Sequence, residues 1–323
     1  EFTEETALMV TESNEIGYFE FDNVPAGNFL VREIASPEAF VLTEEIFPVE
    51  ITEDGQTIEI TIENQIIKGT AETIKVDADY PDHKLSGAVF EVYADVDNNG
   101  EFNADIDKLA GEMTETEPGL YQMKDLVYRN YFLHEKEAPE FFEKDDGYYP
   151  FSITENEAIV RIETEAGEGF LNKAQTGSLK VVKTADDDKV EGRTFKISGT
   201  DFMGNAYEQE FKTDENGEIN LTLRVGEYTV SEVAGEDSEK YILPDDQTVE
   251  IKAGETTTVK MHNKLVPEVP SVPQTGDNPW MPAILGTLAG LAVLSGGALL
   301  FLRYTGKKRK SADQADEDQG TEE

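Results

Sequence analysis

One strand pattern recurs three times in this chain, and each copy sets a carboxylate where a core side chain belongs. The copies are NFLVRE (Phe29, Val31, Glu33), NYFLHE (Tyr131, Leu133, Glu135) and EYTVSE (Tyr228, Val230, Glu232). In an extended strand alternate side chains share a face, so each Glu follows an aromatic and an aliphatic residue onto the buried side. An unpaired charge there is costly. Upstream of each Glu, at near-constant spacing, stand Gly17, Gly119 and Gly217, opening the alternating runs GYFEF, GLYQM and GEINL. That regularity marks an internal repeat.

The repeat sets the domain plan. QTIEITIENQ, AVFEVYAD, GSLKVVKT and GETTTVKMHN read as short strands, punctuated by Gly, Asn and Asp turns, and no long helical period precedes residue 283. An all-β chain of tandem β-sandwiches is expected, with units at 1–66, 67–173 and 174–264. The first unit lacks an opening strand, as a fragment of a longer chain would. Residues 265–276, LVPEVPSVPQTG, read as a semi-rigid Pro-rich spacer. Residues 283–302 carry no charge. At about 1.5 Å rise per residue they suffice for one C-terminal transmembrane helix across a hydrocarbon core of about 30 Å. The basic run that follows is the flank expected on the cytoplasmic side. All that precedes the span then lies outside the cell, and 303–323 forms a basic, then acidic and disordered tail.

Composition removes most chemistries that could use the inward Glu. The chain has no Cys, which excludes disulfides, thiolate metal sites and Cys nucleophiles. Three scattered His leave little for zinc or general-base catalysis. A net charge of −41 repels nucleic-acid phosphates, so no nucleic-acid partner is expected.

Each unit's last strand ends in an Asn that shares its face with apolar residues. Ile58, Ile60, Ile62 and Asn64 alternate together, as do Phe170 with Asn172, and Val259 and Met261 with Asn263. Eleven residues beyond Asn64 and Asn172 come Lys75 and Lys183, in the next unit's first strand. Leu179, Val181 and Lys183 alternate inward; Lys75 has only Ala71 and Thr73 as face-mates. Matching second strands follow, LSGAVFEV (85–92) and VEGRTFKI (190–197). Burial depresses a Lys pKa and raises a Glu pKa. A neutral amine can attack the Asn carboxamide with loss of ammonia, the Glu assisting and proximity supplying most of the rate. A Lys–Glu ion pair with a hydrogen-bonded Asn, and no covalent bond, satisfies the same pattern.

These residues resemble those of the collagen-adhesin B-type (SpaA-like) domains of Gram-positive surface proteins and pilins, which have a prealbumin-like β-sandwich fold. NYFLHEKEAPEFF is similar to their E-box, a Tyr-x-Leu-x-Glu stretch followed by Ala-Pro; IASPEAF keeps only the Pro and EVAGEDSEKY neither. The resemblance spans about 1–264. It implies Lys75–Asn172 and Lys183–Asn263 isopeptide bonds assisted by Glu135 and Glu232. In the first unit Glu33 and Asn64 match, with a Lys partner expected upstream of residue 1.

VPQTGD, the apolar span and the basic run, in that order, resemble a cell-wall sorting signal. The motif is Val272, Pro273, Gln274, Thr275 and Gly276, with Val where Leu is usual. The resemblance implies sortase attack at Thr275–Gly276 and transfer to a peptidoglycan precursor or a pilin subunit, hence a cell-wall-anchored, extracellular location. DVDNNGEFNADID (95–107) places Asp95, Asp97, Asn99, Glu101 and Asn103 at calcium-loop spacing. Ile106 stands where a bidentate Glu belongs, leaving Asp105 or Asp107 to substitute. A solvated acidic turn is the alternative, and no cofactor is required. The expected function is non-enzymatic: a structural stalk of a surface adhesin or a minor or basal pilin. The alternative is an adhesin whose units bind a host matrix protein directly.

Overall fold

The computed structural model describes residues 6–268 except 166 and 168. The sorting motif at 272–276, the apolar segment 283–302 and the tail 303–323 lie outside the described residues. Among those described, no helix is long and apolar enough to cross a membrane.

Twenty-one strands follow in order among the described residues. In the first unit they are β1 (Gly27–Val31), β2 (Phe40–Val41), β3 (Phe47–Ile51) and β4 (Gln65–Ile66). The second unit has β5 (Lys68–Asp77), β6 (Val89–Ala94), β7 (Lys108–Glu112), β8 (Thr114–Glu117) and β9 (Leu120–Val127). It continues with β10 (Arg129–Glu137), β11 (Tyr148–Ile153), β12 (Ile159–Arg161) and β13 (Phe170–Asn172). In the third are β14 (Thr176–Ala185), β15 (Thr194–Asp201), β16 (Ala206–Lys212) and β17 (Glu218–Arg224). It closes with β18 (Gly226–Glu232), β19 (Tyr241–Ile242), β20 (Gln247–Ile251) and β21 (Thr256–Leu265), so that its ladder runs through Leu265.

The second and third units are sandwiches of one design. In the second, sheet β11-β10-β6-β7 faces β12-β5-β9-β8, with β13 added to β5; in the third, β16-β15-β18-β20 faces β17-β14-β21-β19. Each opening strand lies between an antiparallel neighbour that starts after the repeated Gly and a parallel neighbour that carries the Asn at or near its end. First and last strands of a unit are therefore side by side. Alternating inward residues fill each core: Phe90, Val92, Tyr121, Leu133 and Phe170 in one, Leu179, Val181, Phe195, Val230 and Met261 in the other.

Among the described residues the first unit is laddered only as β1–β3 and β2–β4, and none of these first-unit residues is fully buried. The expected last strand carrying Ile58, Ile60 and Ile62 pairs with nothing among the described residues, and Ile58 is 38% exposed. Period-two alternation holds as a strand only where a neighbour accepts its hydrogen bonds. In the other units that neighbour is the opening strand.

Candidate functional site

The two complete sandwiches place Lys, Glu and Asn by the same register. Lys75 pairs with Phe170 and Asp77 with Asn172; Lys183 pairs with Met261 and Ala185 with Asn263. In both, the Lys and Asn are diagonal neighbours on one sheet face, near enough for side chains to meet. The Glu comes from the opposite sheet, where Glu135 lies opposite Phe90 and Glu232 opposite Phe195, the Phe of each second-strand motif. The repeated Gly holds the Lys strand. Gly119 and Gly217 accept the amide hydrogens of Lys75 and Lys183, each at 2.8 Å. Both glycines have positive φ (+72° and +78°), and a Cβ on Gly217 would stand 2.7 Å from the Lys183 carbonyl oxygen. Only glycine fits that turn.

In the second unit Lys75 and Glu135 have fully buried side chains, with Nζ 3.2 Å from Glu135 Oε1. Asn172 Nδ2 donates to both Glu135 oxygens at 2.9 Å. The Asp145 amide donates to Oε2 at 2.8 Å, and Lys75 Nζ donates to the Phe170 carbonyl at 3.2 Å. Nζ also lies over the Phe170 ring, 4.4 Å from its centre. The small face-mates Ala71 and Thr73 did not predict this burial; the aromatic rings from neighbouring strands supply it. Burial lowers the Lys75 pKa to about 8, against the opposing pull of Glu135.

The third unit repeats the arrangement. Lys183 Nζ is 3.1 Å from Glu232 Oε2, and Asn263 Nδ2 donates to Oε1 at 2.8 Å. Burial again lowers the lysine pKa. The Lys183–Glu232 contact is an ion pair without hydrogen-bond alignment, since neither atom has a hydrogen-bond partner. In the first unit Asn64 Nδ2 donates to Glu33 Oε1 at 2.7 Å, both groups half-buried. The structure thus brings together Lys75, Glu135 and Asn172, then Lys183, Glu232 and Asn263, and joins Glu33 to Asn64 with no Lys beside them among the described residues.

One feature is common to all three: the Oδ1 atoms of Asn64, Asn172 and Asn263 are buried without a hydrogen-bond partner. An orphaned carbonyl costs roughly 1–3 kcal/mol, and such groups gather where strain or chemistry explains them. In all three the Glu accepts from the amide nitrogen and leaves the carbonyl oxygen unpaired.

The depressed lysine predicts a pH response in a variant unable to crosslink. In Asn172→Ala, folded Lys75 titrates near 8 and unfolded Lys near 10.4. Between those values the unfolded state holds the extra proton, so stability rises with pH across that window and is flat for this group below it. Urea titrations at stepped pH, referenced to Lys75→Met/Asn172→Ala, check this; a flat difference rejects it.

In the 95–107 loop the carboxylates of Asp95, Asp97 and Asp107 converge, with ligand atoms within 4.8 Å of one another. Asp107, rather than Asp105, closes the cluster. Of the remaining expected ligands, Asn99 spends its side chain on Asp97 and the Glu101 amide, and Asn103 accepts the Asp105 amide. Asp95 and Asp107 each accept two backbone amides of the loop. These hydrogen bonds account for the turn.

Among protein families, the model of the SpaA prealbumin-like fold domain matches residues 3–66, 69–168 and 177–265. Comparison with curated proteins gives no match. Among solved structures the Bacillus anthracis TIE protein is similar at 25% identity and a TM-score of 0.59, over 79% of this chain and 45% of that one. This chain thus spans less than half the length of that relative. A minor pilin of Streptococcus agalactiae matches at 18% identity and a TM-score of 0.27, over 64% of this chain and 99% of that one. The shaft pilin SpaA of Lactobacillus rhamnosus GG matches at 15% and 0.27, over 63% and 100%. Three successive matches that together cover most of the sequence settle the family: this chain belongs to the SpaA prealbumin-like fold domains.

Proposed function

We propose that the chain is a structural stalk of a Gram-positive surface protein or minor pilin, whose second and third sandwiches stiffen themselves with Lys75–Asn172 and Lys183–Asn263 isopeptide bonds. The observation that carries this is the buried triad, present twice in one register, with both reacting groups held on one carboxylate. Lys Nζ passes a proton to the Glu, and the neutral amine attacks Asn Cγ. The new Nζ–Cγ amide forms as the Cγ–Nδ2 bond breaks. Glu, hydrogen-bonded to Nδ2, hands the first proton to that nitrogen, which leaves as ammonia, and takes up the second proton that Nζ sheds on becoming an amide. Two buried charges become a neutral amide and a neutral carboxylic acid, which removes the desolvation cost of the ion pair. Proximity in a dry, fixed site supplies the rate.

Attachment belongs to the same reading. The order of Val272–Pro273–Gln274–Thr275–Gly276, apolar span and basic run supports cleavage by a sortase and transfer to peptidoglycan or a pilin subunit. The intact mass of the purified chain tests the crosslinks. It should fall short of the encoded mass by two ammonia molecules, Glu135→Ala and Glu232→Ala each restoring one; the full encoded mass in the wild type rejects both bonds.

A further inference from the structure

The geometry points to a locked joint between the second and third sandwiches, with Arg224 as its bolt, so that the two units move as one rigid body. Arg224 ends β17 of the third unit, one residue beyond the inward Leu223. Its Nη2 donates to Asp77 Oδ2 of the second unit at 2.5 Å. Its Nε lies 3.2 Å from Asp201 Oδ2 of its own unit. Asp77 is fully buried and Asp201 nearly so. The guanidinium is sandwiched among Tyr80, Phe142 and Phe202, 5.1–5.9 Å from their ring centres. Two of those rings belong to the second unit and one to the third.

Beneath this clasp the connector has no slack. Ala174 pairs with Phe142 as an isolated bridge, the Gln175 amide donates to the Phe141 carbonyl, and Gln175 in turn accepts the Val225 amide. Phe202 packs on Phe141 and Phe142 at 5.2 and 5.3 Å, beside the buried cluster of Leu85, Phe142 and Ala174. Units in one chain ordinarily move against each other unless their interface is large and apolar. Here a planar, bidentate-capable cation is fixed between buried carboxylates of both partners, and withdrawing it would strand Asp77 without a counter-charge. The junction between the first and second units is built differently. Among the described residues it has an exposed Tyr128–Glu38 hydrogen bond and the Ile67 amide donating to the Ala39 carbonyl.

The absence of native Cys allows a clean test on the whole chain. Spin labels at Glu117→Cys and Glu208→Cys, one exposed strand position on each unit, report the inter-unit distance by pulsed dipolar spectroscopy. A single narrow distribution is expected, broadening several-fold in Arg224→Ala. Should that variant not fold, Phe202→Ala reads the same joint from its apolar side. A broad distribution in the unsubstituted joint overturns the proposal, as does an unchanged narrow one in a folded Arg224→Ala. The distance is read whether or not the crosslinks have formed, so its outcome is independent of that chemistry.

Discussion

Glu135→Ala is expected to leave Lys75 and Asn172 unjoined and to lower the melting temperature of the second sandwich by tens of degrees. Two losses combine. The bond would close a loop running from residue 75 to 172; by analogy with a disulfide of that span, losing it returns roughly 4–5 kcal/mol of chain entropy to the unfolded state. The substitution also strands Lys75, whose side chain is fully buried, and an uncompensated buried charge costs roughly 3–5 kcal/mol. The two are coupled and do not simply add. Each kcal/mol moves the midpoint of a domain this size by about 4–8 °C. Calorimetry of wild type, Glu135→Ala and Asn172→Ala separates them, since Asn172→Ala loses the crosslink while keeping the ion pair. A Glu135→Ala midpoint within a few degrees of wild type would falsify the assignment.

Pulling on the chain gives the second large effect. With both crosslinks in place, tension crosses the second unit from β5 through Lys75 to Asn172. It then runs along the short connector into β14, and from Lys183 to Asn263. The intervening residues, 76–171 and 184–262, carry none of it. Single-molecule extension between residues 68 and 265 should therefore release no stored length from either sandwich. Without the bonds each unit would unravel between its Lys and its Asn. At about 3.3–3.6 Å per residue, that adds steps of roughly 330 Å for the second unit and 270 Å for the third, before subtracting the folded span. Glu135→Ala should restore the longer step alone, Glu232→Ala the shorter. Steps of both sizes in the wild type would sink the crosslinked-stalk reading.

The parts of the site that were legible in the sequence are those with period-two logic. Tyr131, Leu133 and Glu135, and Tyr228, Val230 and Glu232, share faces in the strands as their alternation requires. The Phe of each second-strand motif was visible too, although its position opposite the Glu needs the strand pairing. What the sequence did not disclose depends on neighbours distant in the chain. Lys75 is buried by Phe170 and Phe90 rather than by its own face-mates. The Asp145 amide reaches Glu135 from the loop ten residues on, as the Thr43 amide reaches Glu33, although the two loops share no sequence pattern. Arg224 ends a strand whose inward residues are Ile219, Leu221 and Leu223, so alternation assigns it to solvent. Contact with Asp77, Tyr80 and Phe142 of the second unit, together with Asp201 and Phe202 of its own, buries it. The first unit shows the converse: Ile58, Ile60 and Ile62 alternate well, yet make no ladder among the described residues.

In each sandwich the Lys stands near the entry of the chain and the Asn near its exit. Once they are joined, a protease that nicks the acidic 95–107 turn severs a peptide bond without severing the molecule. The cut ends stay pinned in one sandwich, and everything beyond remains tethered. A fibre exposed to hostile enzymes would thereby tolerate cuts across most of its surface, its vulnerable stretches confined to the short passages between one unit's Asn and the next unit's Lys.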